Sequence, residues 1–171
     1  MASRERRSFI LIYVAVFGAL SIVLSSIRVS FPLGNPNLGS TPVSIAAAAS
    51  PGLAAFAVGL IKGLGVSLWT GQALIEIPAG IGDGMMGVLT SWLSRRINPV
   101  LAVAVGQLSR YFFTSGMIAL SLTISKSYPG FLEAWIAMIP AITASIIVNL
   151  ALSTAAVAGL RRFYPSVFRR P

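Results

Sequence analysis

Three arginine clusters bracket the apolar stretches of this chain, and their spacing restricts how those stretches can be threaded. Arg4, Arg6 and Arg7 precede the first stretch, Arg95 and Arg96 close the fourth, and Arg161, Arg162, Arg169 and Arg170 follow the last. Together they hold nine of the thirteen Lys and Arg residues. In a multi-pass membrane protein short cytoplasmic segments retain Lys and Arg, so clusters separated by an even number of crossings lie on one side. All three clusters are cytoplasmic only if the chain crosses four times before Arg95 and twice after Arg96. That predicts an all-α integral membrane protein of the cytoplasmic membrane. Residues 1–171 would form a single bundle of six transmembrane helices with both termini inside.

Composition points the same way: 56% hydrophobic, 10% charged and a mean hydropathy of +0.84 lie far from an ordinary soluble domain. The net charge of +9 does not indicate nucleic acid, because the basic residues cap apolar spans instead of lining one polar face. With no Cys there is no disulfide framework or thiolate chemistry, and with no His the usual general base and transition-metal ligand are missing. Phe9 to Ile27 is too long for a signal-peptide core and reads as a retained helix.

The first helix is expected from about Ser8 to Ile27. Phe31 to Pro42 holds three Pro and two Gly and reads as an extracellular loop over an outward-facing cavity. A second, short helix from Thr41 to Ser50 covers only ~15 Å, about half the hydrocarbon core. Pro51-Gly52 turns the chain back into a third helix, Leu53 to Trp69. The competing reading is one kinked helix from Thr41 to Trp69 and five crossings; it would put Arg95 and Arg96 opposite Arg4, Arg6 and Arg7, so charge favours six. The remaining spans are Ile77 to Leu93, Pro99 to Ile124 and Phe131 to Leu160.

Four ionisable groups fall in or near these spans: Lys62, Glu76, Asp83 and Arg110. A charge in hydrocarbon is costly and faces a bundle interior or a wet cavity. Glu76 and Asp83 stand seven apart and share roughly one helix face. Asp83 either contacts a ligand or pairs with Arg110 or Lys62 to neutralise buried charge. Trp69, Gln72 and Glu76 sit in an outer connection where an aromatic face beside hydrogen-bonding groups suits a flat polar heterocycle. Trp69, Gln72, Glu76, Asp83, Arg110, Tyr128 and Trp135 are the candidate substrate-binding residues, although Trp69 and Trp135 equally fit interface anchors. No metal-binding, nucleophile-elbow or phosphate-loop motif is present, so neither a catalytic residue nor a bound cofactor or metal is expected. Small residues repeat at four-residue spacing: Gly59 and Gly63, Gly80 and Gly84, Ala155 and Gly159, and Ala15 and Ala19 with Gly18 beside them. Such pairs let helix backbones approach in lipid, within the bundle or against another subunit.

Three segments carry a family resemblance: Ala15-Val-Phe-Gly-Ala19, Ala47 through the Pro51-Gly52 turn to Leu60, and Trp69 through Gly82. The chain resembles the substrate-binding S-components of energy-coupling-factor vitamin transporters across its whole length. The resemblance implies a six-helix protein that captures a vitamin or precursor from outside. It also implies docking, through Ala15, Gly18 and Ala19, onto a transmembrane coupling subunit driven by two cytoplasmic ATPases. The alternatives are a self-sufficient small secondary transporter and a membrane assembly subunit that binds no small molecule. Besides these partners the chain is expected to contact the lipid bilayer and no nucleic acid.

Overall fold

The computed structural model describes residues 2–31 and 33–168, with side chains from Ser8 onward. Arg169 and Arg170 lie outside the described residues, as do the side chains of Arg4, Arg6 and Arg7. The described chain is helical: α1 (Ala2–Leu24), α2 (Ser40–Ala49), α3 (Gly52–Thr70), α4 (Ala73–Leu93), α5 (Pro99–Ser109), α6 (Phe113–Ile124) and α7 (Phe131–Phe163). A 3₁₀ turn, Pro165–Phe168, follows α7. With α5 and α6 counted as one interrupted helix, these are the expected six helices of the bundle.

The short second helix is a separate element. Ser50 leaves α2 in an extended conformation, and Pro51, with no N–H to donate, opens α3 at the position where that loss costs nothing. Only ten residues long, α2 is buried almost all round and acts as a central post. The helix starts at Ser40, one residue before the expected Thr41, so Pro42, also read as the end of the preceding loop, lies in its first turn, which tolerates a missing N–H.

The closest helix pair is α3 with α4. A Cβ placed on Gly59 would lie 2.4 Å from the Gly84 nitrogen, and one on Gly80 would lie 2.6 Å from the Gly63 Cα. These two small-residue pairs therefore pack the bundle, backbone against backbone. Gly159 meets nothing within 4 Å. Three helices, α3, α4 and α7, are long and apolar enough to cross a bilayer by length and composition, and Ser8–Leu24 and α2 are shorter apolar helices.

Contacts also sort the ends of the bundle. The Ser91 hydroxyl of α4 donates to the Ser50 carbonyl at 2.6 Å, and Ala48, Val103 and Val157 share a cluster with Val100 and Phe168. The end of α2, the end of α4, the start of α5 and the end of α7 thus gather at one pole, with Arg95, Arg96, Arg161 and Arg162 exposed there. The positive-inside rule predicts the cytoplasmic side for that pole. The opposite pole carries the loop between α1 and α2.

The largest departure from the sequence reading is the fifth span, which is broken at Arg110-Tyr111-Phe112 instead of running unbroken from Pro99 to Ile124. The N–H groups of these three residues bond three positions back, at 3.2, 3.2 and 2.9 Å, and the Ser115 N–H reaches five back to the Arg110 carbonyl at 3.1 Å. A tight turn followed by a wide one loosens the helical ladder. Side chains absorb the difference: the Trp135 indole donates to the Tyr111 carbonyl at 2.8 Å and to the Ser115 hydroxyl at 2.7 Å, and Ser115 in turn donates to Tyr111. No Pro or Gly marks the break in the sequence, which is why hydropathy alone reads one span.

Candidate functional site

The break puts Arg110 at the centre of a buried charge cluster. Gly59 against Gly84 and Gly63 against Gly80 set α3 and α4 at a depth where Lys62 meets Asp83. The Lys62 ammonium lies 2.5 Å from Asp83 Oδ2, and Arg110 Nε lies 2.9 Å from Asp83 Oδ1. Thr114, at the start of α6, donates its hydroxyl to the same Oδ1 at 2.8 Å. That approach depends on Gly82, where an added Cβ would come within 2.4 Å of the Thr114 Cα. The three charged side chains are 2%, 0% and 3% exposed for Lys62, Asp83 and Arg110. One carboxylate thus serves two cations, leaving the triad with a net positive charge that must be balanced nearby or remain costly.

Polar side chains extend the cluster outward. Arg110 Nη1 donates to the Ser145 hydroxyl of α7 at 3.0 Å. Asn149 accepts from the Thr41 hydroxyl at 2.8 Å and donates to the backbone carbonyls of Asn37 and Ser145, both at 2.7 Å. Gln107 donates to the Ser44 hydroxyl at 2.7 Å. These bonds tie α2, α5, α7 and the outer loop into one buried network.

Above the triad lies a narrow cavity of about 30 Å³, room for roughly one water. Its floor holds Lys62, Arg110 and Thr114, one wall holds Glu76, and the other walls are aliphatic: Ile75, Ala79, Ile118, Ala141 and Ile142, with Met138. The roof is Gly34-Asn35-Pro36-Asn37. This loop is tied to itself, Val29 N–H to the Pro36 carbonyl at 3.0 Å and Phe31 N–H to the Gly34 carbonyl at 3.3 Å. Gly34 adopts φ +84, in the left-handed region, with Met138 directly beneath it. On the outer rim Asn35 donates to the Gln72 side chain at 2.7 Å, which latches the roof to the start of α4.

The sequence-derived candidates divide into three groups. Glu76 and Arg110 line the cavity and Asp83 lies behind it, paired with Arg110 and Lys62, although Glu76 belongs to the first turn of α4 and not to an outer connection. Gln72 stands at the rim as a partner of the roof. Trp69, Tyr128 and Trp135 do not line the cavity. Trp69 is 45% exposed with the Arg28 guanidinium 4.6 Å above its ring, Tyr128 packs against a cluster with Leu122 and Met138, and Trp135 braces the helix break. Lys62, Thr114, Ser145, Asn35 and Asn37 complete the lining. Lys62 was legible as a charge in an apolar span; the others are short polar residues, common in membrane helices and loops, with no sequence signal of their own.

On α1, Ala15 and Ala19 are exposed, while Gly18 is buried and faces inward, where an added Cβ would lie 2.7 Å from Ile61 Cγ2. No family model matches the chain, and no curated protein matches it. Among solved structures it is similar to ThiT from Listeria monocytogenes, with a TM-score of 0.69 and 18% identity over 95% of this chain and 98% of that one. The chain has the ThiT fold over nearly its whole length. Within that fold the cavity lies under the outer loop, and Ala15 and Ala19 lie on the outside of α1.

Proposed function

We propose that this chain is the substrate-binding subunit of an ATP-driven energy-coupling-factor transporter in the cytoplasmic membrane, and that residues 1–171 act as one unit. It captures a vitamin or vitamin precursor from outside and hands it to a transmembrane coupling subunit energised by two cytoplasmic ATPases. It performs no chemistry on its substrate. The observation that carries this reading is the charged cavity beneath a self-tied outer loop, within the S-component fold. ThiT is a thiamine S-component. Glu76, Arg110 and Lys62 contact the substrate, Asp83 holds the two cations in place, and Gln72 helps fasten the roof. Because the cavity is so narrow, the segment from Gly34 to Asn37 swings out to admit anything larger than water. Ala15 and Ala19 form the docking face, and Gly18 sets how α1 sits on α3.

Three experiments test this. Mass spectrometry of small molecules retained by gently purified protein is expected to find one bound metabolite. Proteoliposomes containing only this chain are expected to bind that metabolite without accumulating it, and adding a coupling module with ATP is expected to start uptake. Concentrative uptake by the chain alone under a proton or sodium gradient would instead identify a self-sufficient transporter. Ala15→Trp and Ala19→Trp add bulk where backbones must approach. They are expected to abolish coupled uptake while binding by the isolated chain survives; equal loss of both would remove the docking face from the proposal.

A further inference from the structure

The cavity has unspent hydrogen-bonding capacity of both kinds. Glu76 is 3% exposed and lines the cavity, yet among the described residues its carboxylate accepts no hydrogen bond and has no cation within ion-pair distance. An unpaired carboxylate at such a depth is costly unless something arrives to meet it. On the floor, Lys62 gives one of its three N–H donors to Asp83, and Arg110 Nη2 has no acceptor among the described residues. Acceptors on one wall therefore face donors on the floor.

Charge and shape narrow the class. Lys62 and Arg110 contribute two positive charges, and Asp83 and Glu76 two negative ones, so the ionised set sums to zero. A net-charged guest would leave one uncompensated charge beside four buried ionisable side chains, whereas a guest of zero net charge leaves the balance intact. The remaining walls are Ile75, Ala79, Ile118, Ile142 and Met138, with no ring among them. Trp69 and Trp135 are engaged elsewhere, by Arg28 and by the Tyr111 carbonyl.

We propose that this cavity takes a small zwitterion with a short aliphatic body, its ammonium against Glu76 and its carboxylate against Lys62 and Arg110. The inference rests on the substrate-binding reading above and replaces the flat heterocycle expected from Trp69 with an amphoteric, non-aromatic guest. Each end of the guest completes a charge-assisted hydrogen bond that the protein leaves open, and neither end disturbs the Asp83 bridges.

The test is thermal stabilisation of the purified protein by a matched panel. The panel comprises α- and ω-amino acids of increasing chain length, the corresponding alkylamines, the corresponding alkanoic acids, and flat heterocycles of the pyrimidine, pterin and flavin types. Stabilisation by amino acids of one chain length, exceeding that by the amine and the acid alone, is expected. Glu76→Gln is expected to weaken that binding about tenfold or more. Without added compound, the same variant is expected to be at least as stable as the parent, since it loses an unpaired buried charge. Stabilisation only by heterocycles, or only by amines or only by acids, would overturn the zwitterion assignment while leaving the binding reading intact. Amino-acid binding that Glu76→Gln leaves unchanged would overturn the assignment as well. No stabilisation by any class, together with no metabolite retained on purification, would overturn the binding reading itself.

Discussion

Removing the Asp83 carboxylate tests whether the buried charges hold one another in place. In Asp83→Ala the Lys62 ammonium and the Arg110 guanidinium lose the acceptor they share at 2.5 and 2.9 Å, and the Thr114 hydroxyl loses its partner at 2.8 Å. Two like charges then remain among side chains that are almost fully enclosed. Breaking a buried ion pair by removing one partner costs about 3–5 kcal/mol, and stranding two cations instead of one favours the upper part of that range. On a chain of this length each kcal/mol lowers the thermal midpoint by ~2–4 °C, so a drop of roughly 6–20 °C is expected. The triple variant Lys62→Met, Asp83→Leu, Arg110→Met removes all three charges together. It is expected to lose less than Asp83→Ala alone, because no desolvated charge is left unpaired. Intrinsic tryptophan fluorescence during heating, in detergent, reads both. A drop of less than about 2 °C in Asp83→Ala, or a triple variant weaker than the single one, would refute the reasoning.

Gly80→Leu pushes a side chain into the Gly63 backbone, 2.6 Å from the added Cβ, and is expected to cost about 3 kcal/mol or more because no flexible side chain can yield. Gly116→Ala, with nothing within 4 Å, is the matched control and is expected to be neutral or slightly stabilising by thermal unfolding. Trp135→Phe keeps the ring but removes the donor to the Tyr111 carbonyl and Ser115; a loss of about 1–3 kcal/mol is expected, and no loss would mean the break is held by other contacts. In intact cells Ser127→Cys is expected to label with an impermeant maleimide and Ser94→Cys only after permeabilisation. Labelling of Ser94→Cys from outside would overturn the six-span threading.

How much of this was readable in the chain differs by element. The threading was legible because its signals are local: apolar stretches, Pro51-Gly52 and the arginine clusters at Arg95-Arg96 and Arg161-Arg162 each act on their own neighbourhood, through transfer free energy and the cost of translocating charge. The presence of Lys62, Glu76, Asp83 and Arg110 in or beside apolar spans likewise marks a buried polar site in the sequence itself. What those charges do was not legible. Helical periodicity assigns Glu76 and Asp83 to one face of α4, but it does not fix how deep α3 and α5 sit against that face. The Gly59–Gly84 and Gly63–Gly80 contacts set that depth, and they bring Lys62 to Asp83 while leaving the Glu76 carboxylate without a hydrogen-bond partner among the described residues. The same dependence on packing turns Gly18 inward and leaves Ala15 and Ala19 exposed one helix face away. It also breaks the fifth span at Arg110, where Trp135, distant in sequence, supplies the hydrogen bonds that the helix gives up. Sequence determined which groups enter the membrane; tertiary packing decided which of them meet, because backbone-to-backbone contacts set helix rotation and depth and no single segment encodes its partner's surface.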